Sequence, residues 1–228
     1  MSKLLSIVVP IYNEESLIPE SLPAIFNLPI NKEVIVVNDG SSDSTPTLLE
    51  SLKDKYHFTL INQPKNQGKG AAVKRGLEEI KGDYFIICDA DLEYNPQDIC
   101  RLFLELDNLS DNKIVIYGSR FKGANKYSFH YLVNKFLTFL TNILFRAKLT
   151  DMETCFKLVP SSALKEISLS GKRFEIEPEI TARLLKANYK IIELPISYNR
   201  RGYDEGKKIT AKDGFLAITT LIKERYNK

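Results

Sequence analysis

Short runs of β-branched and aromatic residues alternate with segments of helical hydrophobic period along the first half of the chain. The apolar runs predict strands at Leu5–Pro10, Val34–Asn38, Phe58–Asn62, Tyr84–Asp89 and Lys113–Gly118. The segments between them predict helices near Ser16–Asn27, Pro46–Tyr56, Gly70–Ile80 and Pro96–Leu106. Strands and helices that alternate at this spacing are typical of an α/β fold, in which a mostly parallel sheet carries helices on both faces.

The second half of the chain is less regular. Its pattern predicts a helix at Tyr127–Arg146, a strand at Cys155–Val159, a helix at Pro178–Ala187, a strand in YKIIELPISY and a helix at Lys212–Tyr226. No internal repeat, low-complexity tract or linker interrupts the sequence. We therefore expect one domain with a C-terminal elaboration of the sheet.

The long helix predicted at Tyr127–Arg146 has an apolar face that fits two interpretations, core packing and membrane contact. Its apolar positions follow an i, i+3, i+4, i+7 pattern: Phe129, Leu132, Val133, Phe136, Leu137, Leu140, Ile143 and Leu144. Such a face packs against the core in an ordinary globular protein. A face rich in Phe and Leu, flanked by Lys126 and Arg146, also suits a membrane surface with anionic headgroups, and the flanking charges favour this second interpretation.

The composition is that of an ordinary globular protein, with 228 residues, 43% of them hydrophobic and 27% charged. A net charge of +3, without a dense basic tract, argues against a nucleic-acid partner. Three scattered cysteines and two distant histidines indicate neither disulfides nor a zinc site, as in a reduced cytosolic protein. Because the sequence has neither a signal-peptide pattern nor about 18 successive apolar residues, we expect a cytoplasmic protein that at most lies at a membrane surface.

The stretch FIICDADLEYNP places Asp89 and Asp91 at the end of a predicted buried strand. Side chains two positions apart on extended backbone share a face, so these carboxylates repel each other unless a cation or several donors lie between them. Neither is needed to cap the next helix, since Asn95 and Pro96 suit its N-cap and first position. Hard cations such as Mg²⁺ prefer oxygen ligands, so the pair indicates a divalent-cation site, with a solvated loop as the alternative.

Other predicted strand ends narrow the class of protein. No glycine precedes Asp39, so the G-x-G-x-x-G turn of a dinucleotide-binding fold is absent. In VVNDGSSDSTP a Ser-Thr pair can cap the next helix, which leaves Asp39 to face the ligand crevice. In NQGKGAA, Gly68 and Gly70 flank Lys69 just before a helix, which suits an anion site or a plain helix entry.

Four motifs follow successive predicted strands in order: VVPIYNEES, VVNDGSSDST, NQGKGAA and DADLEYNP. With YGSRF, TDMETCFKLVP, FEIEPEITARLLKANYKIIELPISYNRRGYDEGKKI and KDGF, they resemble the inverting family 2 glycosyltransferases over nearly the full length. The motifs are similar to the branch that acts on dolichyl or polyprenyl phosphate. The resemblance implies the GT-A fold and a single catalytic domain over residues 1–228, with a nucleotide-binding part at about 1–120 and an acceptor-binding, closing part at about 121–228.

The resemblance also implies a nucleotide-sugar donor, a lipid-phosphate acceptor and Mg²⁺ or Mn²⁺ as cofactor. The expected nucleotide pocket comprises Pro10, Tyr12, Glu14, Val37, Asp39, Asp89 and Ala90. The expected metal ligands are Asp89, Asp91 and Glu93. The residues expected to act in catalysis are Asp91, Arg120, Asp151 and Arg201. The diphosphate and acceptor are expected to contact Arg200, Arg201 and Lys207, with Lys208 as an alternative because the register of this basic loop is open.

The acceptor decides whether the reaction needs a base. A sugar hydroxyl requires a carboxylate such as Asp151 or Glu153, whereas a lipid phosphate is already ionised near neutral pH, with a second pKa of about 6. The Arg and Lys residues of the last quarter of the chain favour the phosphate. Many relatives have Ser-Gly-Phe-Arg where this chain has Thr-Cys-Phe-Lys at residues 154–157. A lysine has no planar fork, so Lys157 is not expected to make the bidentate phosphate contact that an arginine makes.

Three other functions fit part of the pattern. A glycosyltransferase with a soluble or glycan hydroxyl acceptor shares every motif named above. A sugar nucleotidyltransferase has related metal chemistry, but its glycine-rich N-terminal loop is missing here. A non-catalytic nucleotide-sugar binding module is disfavoured because both the paired aspartates and the basic loop are present.

Overall fold

The computed structural model describes residues 3–109, 111, 113–122, 129–199 and 211–227. Its strands are β1 (Leu5–Ile11), β2 (Lys32–Asn38), β3 (Thr59–Asn62), β4 (Tyr84–Ile87), β5 (Ile114–Ser119), β6 (Lys157–Pro160) and β7 (Lys190–Pro195). Its α-helices are α1 (Ile18–Phe26), α2 (Thr45–Lys53), α3 (Lys69–Leu77), α4 (Gln97–Glu105), α5 (Phe129–Phe145), α6 (Ile176–Lys186) and α7 (Ala211–Tyr226). Each predicted strand and helix is present, with its ends shifted by a few residues.

The seven strands form one sheet in the order β3-β2-β1-β4-β6-β5-β7. The pairs β1–β2, β1–β4, β2–β3 and β5–β7 are parallel, whereas β6 is antiparallel to both of its neighbours. The expected mostly parallel sheet is therefore confirmed. Because β6 runs in the opposite direction, its beginning lies at the same edge of the sheet as the ends of β4 and β5.

Helices cover both faces of the sheet, as the buried residues of β1 illustrate. Ile7 and Val9 belong to an apolar core that includes residues of α1, α2 and α4. Val8, between them, belongs to the opposite core with residues of α3 and α6. All three side chains are wholly buried. This arrangement explains why β1 is a continuous apolar run in the sequence, since neither face of a doubly covered sheet meets water.

The helix α5 is apolar on two sides, so the single apolar face predicted for it is wrong. One side packs against α6 and α7 through Val133, Leu137, Leu140 and Leu144. The other side, here called the outer stripe, consists of Leu132, Phe136, Phe139 and Ile143, which are 54–62% exposed. The sequence pattern merged the two sides because it counted together neighbours such as Leu132 and Val133, which point about 100° apart around a helix.

Candidate functional site

The ends of β1, β2, β4 and β5 and the beginning of β6 lie at one edge of the sheet, here called the site edge. Ligands of open α/β sheets bind outside the carboxyl ends of the strands. The segments at this edge carry most of the predicted site residues. They are residues 12–15, 39–45, 88–95, 119–122 and 149–156.

The loops after β1 and β2 are tied to each other by hydrogen bonds. The N–H of Asn13 donates to Ser41 Oγ at 3.0 Å, and the N–H of Glu14 donates to Thr45 Oγ1 at 3.1 Å. Thr45 is therefore not the side-chain cap that the sequence indicated for α2. The N-cap residue is Ser44, which makes no side-chain capping hydrogen bond, and the N–H of Thr45 donates to Oδ1 of Asp43, one residue further upstream, at 3.0 Å. The short side chain of Asp43 can fold back onto the backbone two residues on.

Asp39 is buried, with 2% of its surface exposed. Its carboxylate is already hydrogen-bonded within the protein. Its Oδ1 accepts hydrogen bonds from the Gln67 N–H at 2.8 Å and from Gln63 Nε2 at 3.0 Å, and its Oδ2 accepts one from the Gly68 N–H at 2.8 Å. Burial raises the pKa of Asp39, and the two backbone N–H groups partly offset that rise. The carboxylate thus fixes the loop between β3 and α3 at the site edge.

The other residues predicted for the nucleotide pocket divide into two groups. Pro10, Tyr12 and Glu14 are half-buried at the end of β1, where a ligand at the site edge can reach them. Ala90 is buried in the core beneath the turn after β4. Val37 is wholly buried and its side chain packs against Ala72 of α3. The pleat of β2 places this side chain on the sheet face covered by α3, and the role of Val37 in the nucleotide pocket stays a prediction.

Asp89 and Asp91 lie in a turn, because β4 ends at Ile87. The assumption that both stand on one face of an extended strand is therefore wrong. Leu92 in this turn has φ +58°, a left-handed conformation that is uncommon and strained for a bulky residue. The turn is closed by a hydrogen bond of 3.0 Å from the Glu93 N–H to Asp91 Oδ1.

The predicted set of three metal ligands is not assembled in the structure. Glu93 Oε2 accepts a hydrogen bond of 2.7 Å from the hydroxyl of Tyr198, in the segment after β7. Asp89 is paired with Lys69 instead. Across the described ranges, no group of three or more His, Cys, Asp or Glu side chains is arranged to hold a metal ion. Of the three predicted metal ligands, Asp89 and Asp91 are therefore the better candidates.

Lys69 is directed toward Asp89. Its Nζ lies 2.8 Å from Asp89 Oδ2 and 3.2 Å from Oε1 of Glu177 on α6. Burial alone would lower the pKa of Lys69, but the two carboxylates raise it well above its ordinary value. Gly68 has φ +98°, and a side chain there would collide with the carbonyl of Lys172. The glycine therefore lets α3 begin close to the segment before α6, and Lys69 neutralises the charge of Asp89.

Arg120 and Asp151 form a buried ion pair. Arg120 donates from Nε to Asp151 Oδ2 at 2.8 Å and from Nη2 to Oδ1 at 2.7 Å. Burial would lower the pKa of Arg120, but Asp151 raises it well above its ordinary value. The guanidinium carbon also lies 5.3–5.8 Å from the ring centres of Tyr94, Phe121 and Tyr198. Both carboxylate oxygens of Asp151 accept hydrogen bonds from Arg120, and the residue is wholly buried. This arrangement suits a residue that orients Arg120.

Glu193 of β7 fixes the turn that carries Asp151. Its carboxylate accepts hydrogen bonds from the N–H and hydroxyl of Thr150 and from the N–H of Asp151, all at 2.8–2.9 Å. Neither Glu193 nor Glu177 was predicted at the site, since each lies in a different element far along the chain from its partner. The sequence did contain one signal for both residues: each is a carboxylate at a buried position of a strand or helix. Such buried carboxylates are almost always paired with another group.

Lys157 and Glu153 lie beside these pairs. Lys157 is buried and its ammonium pairs with Glu177, so it makes an internal ion pair in place of a phosphate contact. The Oε1 atom of Glu153 is buried without a hydrogen-bond donor among the described residues. Burial raises the pKa of Glu153 to about 7, although Lys157 and Arg120 oppose the rise. A carboxyl that titrates near neutrality fits general-base chemistry better than the ion-paired Asp151 does.

The predicted basic loop, with Arg200, Arg201, Lys207 and its alternative Lys208, lies outside the described residues. The described segments on either side of it end at Asn199 and begin again at α7. Within those segments and the rest of the described chain, no helix combines the length and the apolar character needed to cross a bilayer.

A model of the family described as glycosyl transferase family 2 matches residues 6–168. The chain is 30% identical to the dolichyl-phosphate beta-glucosyltransferase ALG5A of Trichomonas vaginalis, over 97% of this chain and 73% of that protein. It is 30% identical to the dolichol-phosphate mannosyltransferase of Pyrococcus furiosus, over 89% of this chain but only 58% of that protein. A dolichyl-phosphate N-acetylglucosaminyltransferase that uses UDP-N-acetylglucosamine, from Methanococcus voltae, is 27% identical over 99% and 98%.

Solved structures share the fold at lower identity. The glucosyl-3-phosphoglycerate synthase of Mycobacterium tuberculosis, in complex with Mn²⁺, UDP and glucosyl-3-phosphoglycerate, gives a TM-score of 0.72 at 19% identity, over 97% of this chain and 80% of that one. TarS of Staphylococcus aureus, in complex with UDP-GlcNAc, gives a TM-score of 0.64 at 17% identity, over 96% and 66%. At these identities the likeness concerns the fold alone.

Proposed function

This chain belongs to glycosyl transferase family 2, and from that premise we propose that it transfers a sugar from a nucleotide-sugar donor to a polyprenyl phosphate, with inversion and with a divalent cation at the site edge. The expected GT-A fold and the enzyme class, glycosyltransferase, are confirmed by the comparisons. The donor, the acceptor, the metal and the roles of single residues are the proposed parts.

The observation that carries the proposal is the gathering of acidic and basic side chains from separate segments at one edge of the sheet. Asp89 and Asp91 come from the turn after β4, Lys69 from the start of α3 and Arg120 from the end of β5. Cations and oxygen ligands in one crevice suit a diphosphate better than a neutral ligand. The names of the dolichyl-phosphate relatives support the donor and acceptor classes.

The aspartates fit a divalent cation. Asp89 already pairs with a cation, because the ammonium of Lys69 lies 2.8 Å from its carboxylate. The position of Asp89 therefore suits a bound cation. Mg²⁺ is commonly bound by one or two carboxylates together with substrate phosphates. We therefore assign Asp89 and Asp91 to the cation and Glu93 to the orientation of Tyr198. When bound, the cation stabilises negative charge on the leaving nucleoside diphosphate.

Arg120 would stabilise the same negative charge on the leaving nucleoside diphosphate. Asp151 accepts from two guanidinium N–H groups, while an arginine has five such donors. The pair thus holds the guanidinium in one orientation at the end of β5, where it can donate to a phosphate. Asp151 is assigned the positioning of Arg120, in place of the base proposed for it from the sequence. Arg201, with Arg200 and Lys207, stays a prediction for the phosphates.

The outer stripe supports a lipid acceptor. It lies on α5, whose Lys135 Nζ donates to the carbonyl of Thr150 at 3.3 Å, directly before Asp151. The stripe is therefore carried by an element attached to the site edge. Arg146 and Lys148, both exposed, follow the helix and suit anionic headgroups. Contact of this stripe with the membrane surface would bring a lipid phosphate to the site.

The function is tested by release of nucleoside diphosphate from a panel of nucleotide sugars. We expect release to require a polyprenyl phosphate in detergent together with Mg²⁺ or Mn²⁺. Asp91→Asn should lower turnover roughly 100-fold or more, since a bound cation contributes several kcal/mol to the transition state. Asp54→Asn, which alters an exposed carboxylate after α2, should leave turnover unchanged. Full activity in excess EDTA, or equal activity without the lipid phosphate, contradicts the proposal.

A hydroxyl acceptor is the second candidate, and Glu153 is the observation that favours it. Its buried carboxyl, with a pKa of about 7, is poised to remove a proton from a sugar hydroxyl near neutral pH. If the same assay shows sugar transfer to soluble glycans but not to polyprenyl phosphate, the acceptor is a hydroxyl group and Glu153 is the leading base.

A further inference from the structure

A line of alternating charges runs inward from the site edge through four elements. It begins at Asp89 after β4, passes to Lys69 of α3 and Glu177 of α6, and ends at Lys157 of β6. The Lys69 Nζ lies between the two carboxylates, 2.8 Å from Asp89 and 3.2 Å from Glu177. Lys157 and Glu177 are almost wholly buried, which makes their pair a fixed end of the line.

The two contacts of Lys69 are not equivalent. Its ammonium makes a well-directed hydrogen bond of 2.8 Å with Asp89 Oδ2, whereas its contact with Glu177 Oε1 is longer, at 3.2 Å, and poorly directed. A buried carboxylate oxygen with a poorly directed donor is unfavourable. Glu177 can therefore hold the same ammonium more closely when its bond to Asp89 is lost.

A shift of Lys69 from Asp89 toward Glu177 requires only its side chain to move. Its backbone is held at the start of α3, where the Ala71 N–H donates to the Lys172 carbonyl at 3.1 Å. Its Nζ also lies 5.9 Å from the ring centre of Phe174. The ring and the two carboxylates keep the ammonium in one small region.

We propose that Lys69 is the resident counter-ion of the cation-binding aspartate: it neutralises Asp89 while the donor is absent and moves to Glu177 when a divalent cation takes its place. This inference rests on the proposed metal dependence. A metal ion alone must displace an ammonium from a site that is already neutralised. A metal ion that is also coordinated by the oxygens of a nucleoside diphosphate would gain ligands that compensate for this displacement, so we expect it to bind more tightly with nucleotide than alone.

The test measures Mn²⁺ binding to the full chain by the loss of the free Mn²⁺ signal in electron paramagnetic resonance. Lys69→Met should bind Mn²⁺ without nucleotide about 10-fold or more tightly than the wild type, because removal of a nearby positive charge leaves Asp89 uncompensated. Lys81→Met, which removes an exposed lysine at the opposite edge of the sheet, should bind like the wild type. Adding Asp89→Asn to Lys69→Met should abolish the gain. Lys69→Gln is a second variant in case Lys69→Met unfolds.

Three other results have distinct meanings. If the wild type binds Mn²⁺ with UDP or GDP but Lys69→Met and Lys69→Gln show no gain with Mn²⁺ alone, Lys69 is not the counter-ion and the inference is wrong. If Glu177→Gln weakens binding of Mn²⁺ with nucleotide several-fold more than binding of Mn²⁺ alone, the second position of Lys69 is supported, and equal effects contradict it. If no protein binds Mn²⁺ with either nucleotide, the proposed metal dependence fails and the inference fails with it.

Discussion

Glu153 shows how the environment of one residue decides its chemistry. Its carboxyl faces the cations Lys157 and Arg120 and the carboxylates of Glu177 and Asp151. Burial is the largest influence, and it raises the pKa from the ordinary 4.5 to about 7. The folded protein thus holds a proton that the unfolded chain releases near pH 4.5. Folding stability contributed by this group therefore falls as the pH rises from about 4.5 to 7.

Glu153→Gln should remove this loss of stability. The free energy of unfolding of the variant, relative to that of the wild type, should rise between pH 5 and pH 8, by on the order of 2 kcal/mol. Urea unfolding at the two pH values measures the difference. Glu20→Gln, at an exposed position of α1, is the control and should follow the wild type. Parallel pH dependence in Glu153→Gln and the wild type would count against the raised pKa.

Among the elements, α5 has two apolar sides with separate uses. Its inner side completes the small core shared with α6 and α7. Its outer stripe exposes four large apolar side chains in a helix of 17 residues, and apolar residues clustered on a surface commonly mark an interaction site. A polar helix surface would have sufficed for packing alone, so the outer stripe calls for a partner, for which we propose the bilayer.

The double variant Phe136→Ser and Phe139→Ser should lower partitioning onto anionic liposomes roughly 10-fold or more, because each exposed ring would lose its burial in the lipid. Sedimentation with liposomes measures the effect, and nucleotide binding should not change. Leu104→Ser, at a position of α4 that is 61% exposed, is the matched control. The membrane role is wrong if the double variant sediments like the wild type, or if the control loses as much binding.

For the molecule as a whole, the sequence predicted the placement of the segments that local pattern determines, but not the contacts between distant elements. The strand pattern correctly brought the segments of Asp39, Asp89 and Arg120 to one edge, because parallel strands end together. The pairing of Lys69 with Glu177 depends on how α3 and α6 pack on the same face of the sheet. No periodicity within either helix encodes such a contact.

The sheet also determines how the chain should unfold. The pair β4–β6 joins the first four strands to the last three, and each core packs on one face of that sheet. We expect a single cooperative transition, because the two cores share this one sheet. Circular dichroism and the fluorescence of the 11 tyrosines, in a chain without tryptophan, should give the same midpoint in urea. Two separated midpoints would indicate independent units.

The position of β6 in the sheet has a consequence for the order in which the chain can fold during synthesis. β6 lies between β4 and β5, although the ribosome makes it after both of them. Until residue 160 has left the ribosome, β4 has no neighbour on that side, and its backbone groups form an open edge. Such transient edges favour association with other chains. The nascent protein is therefore most exposed to aggregation and to chaperone binding between completion of β4 and insertion of β6.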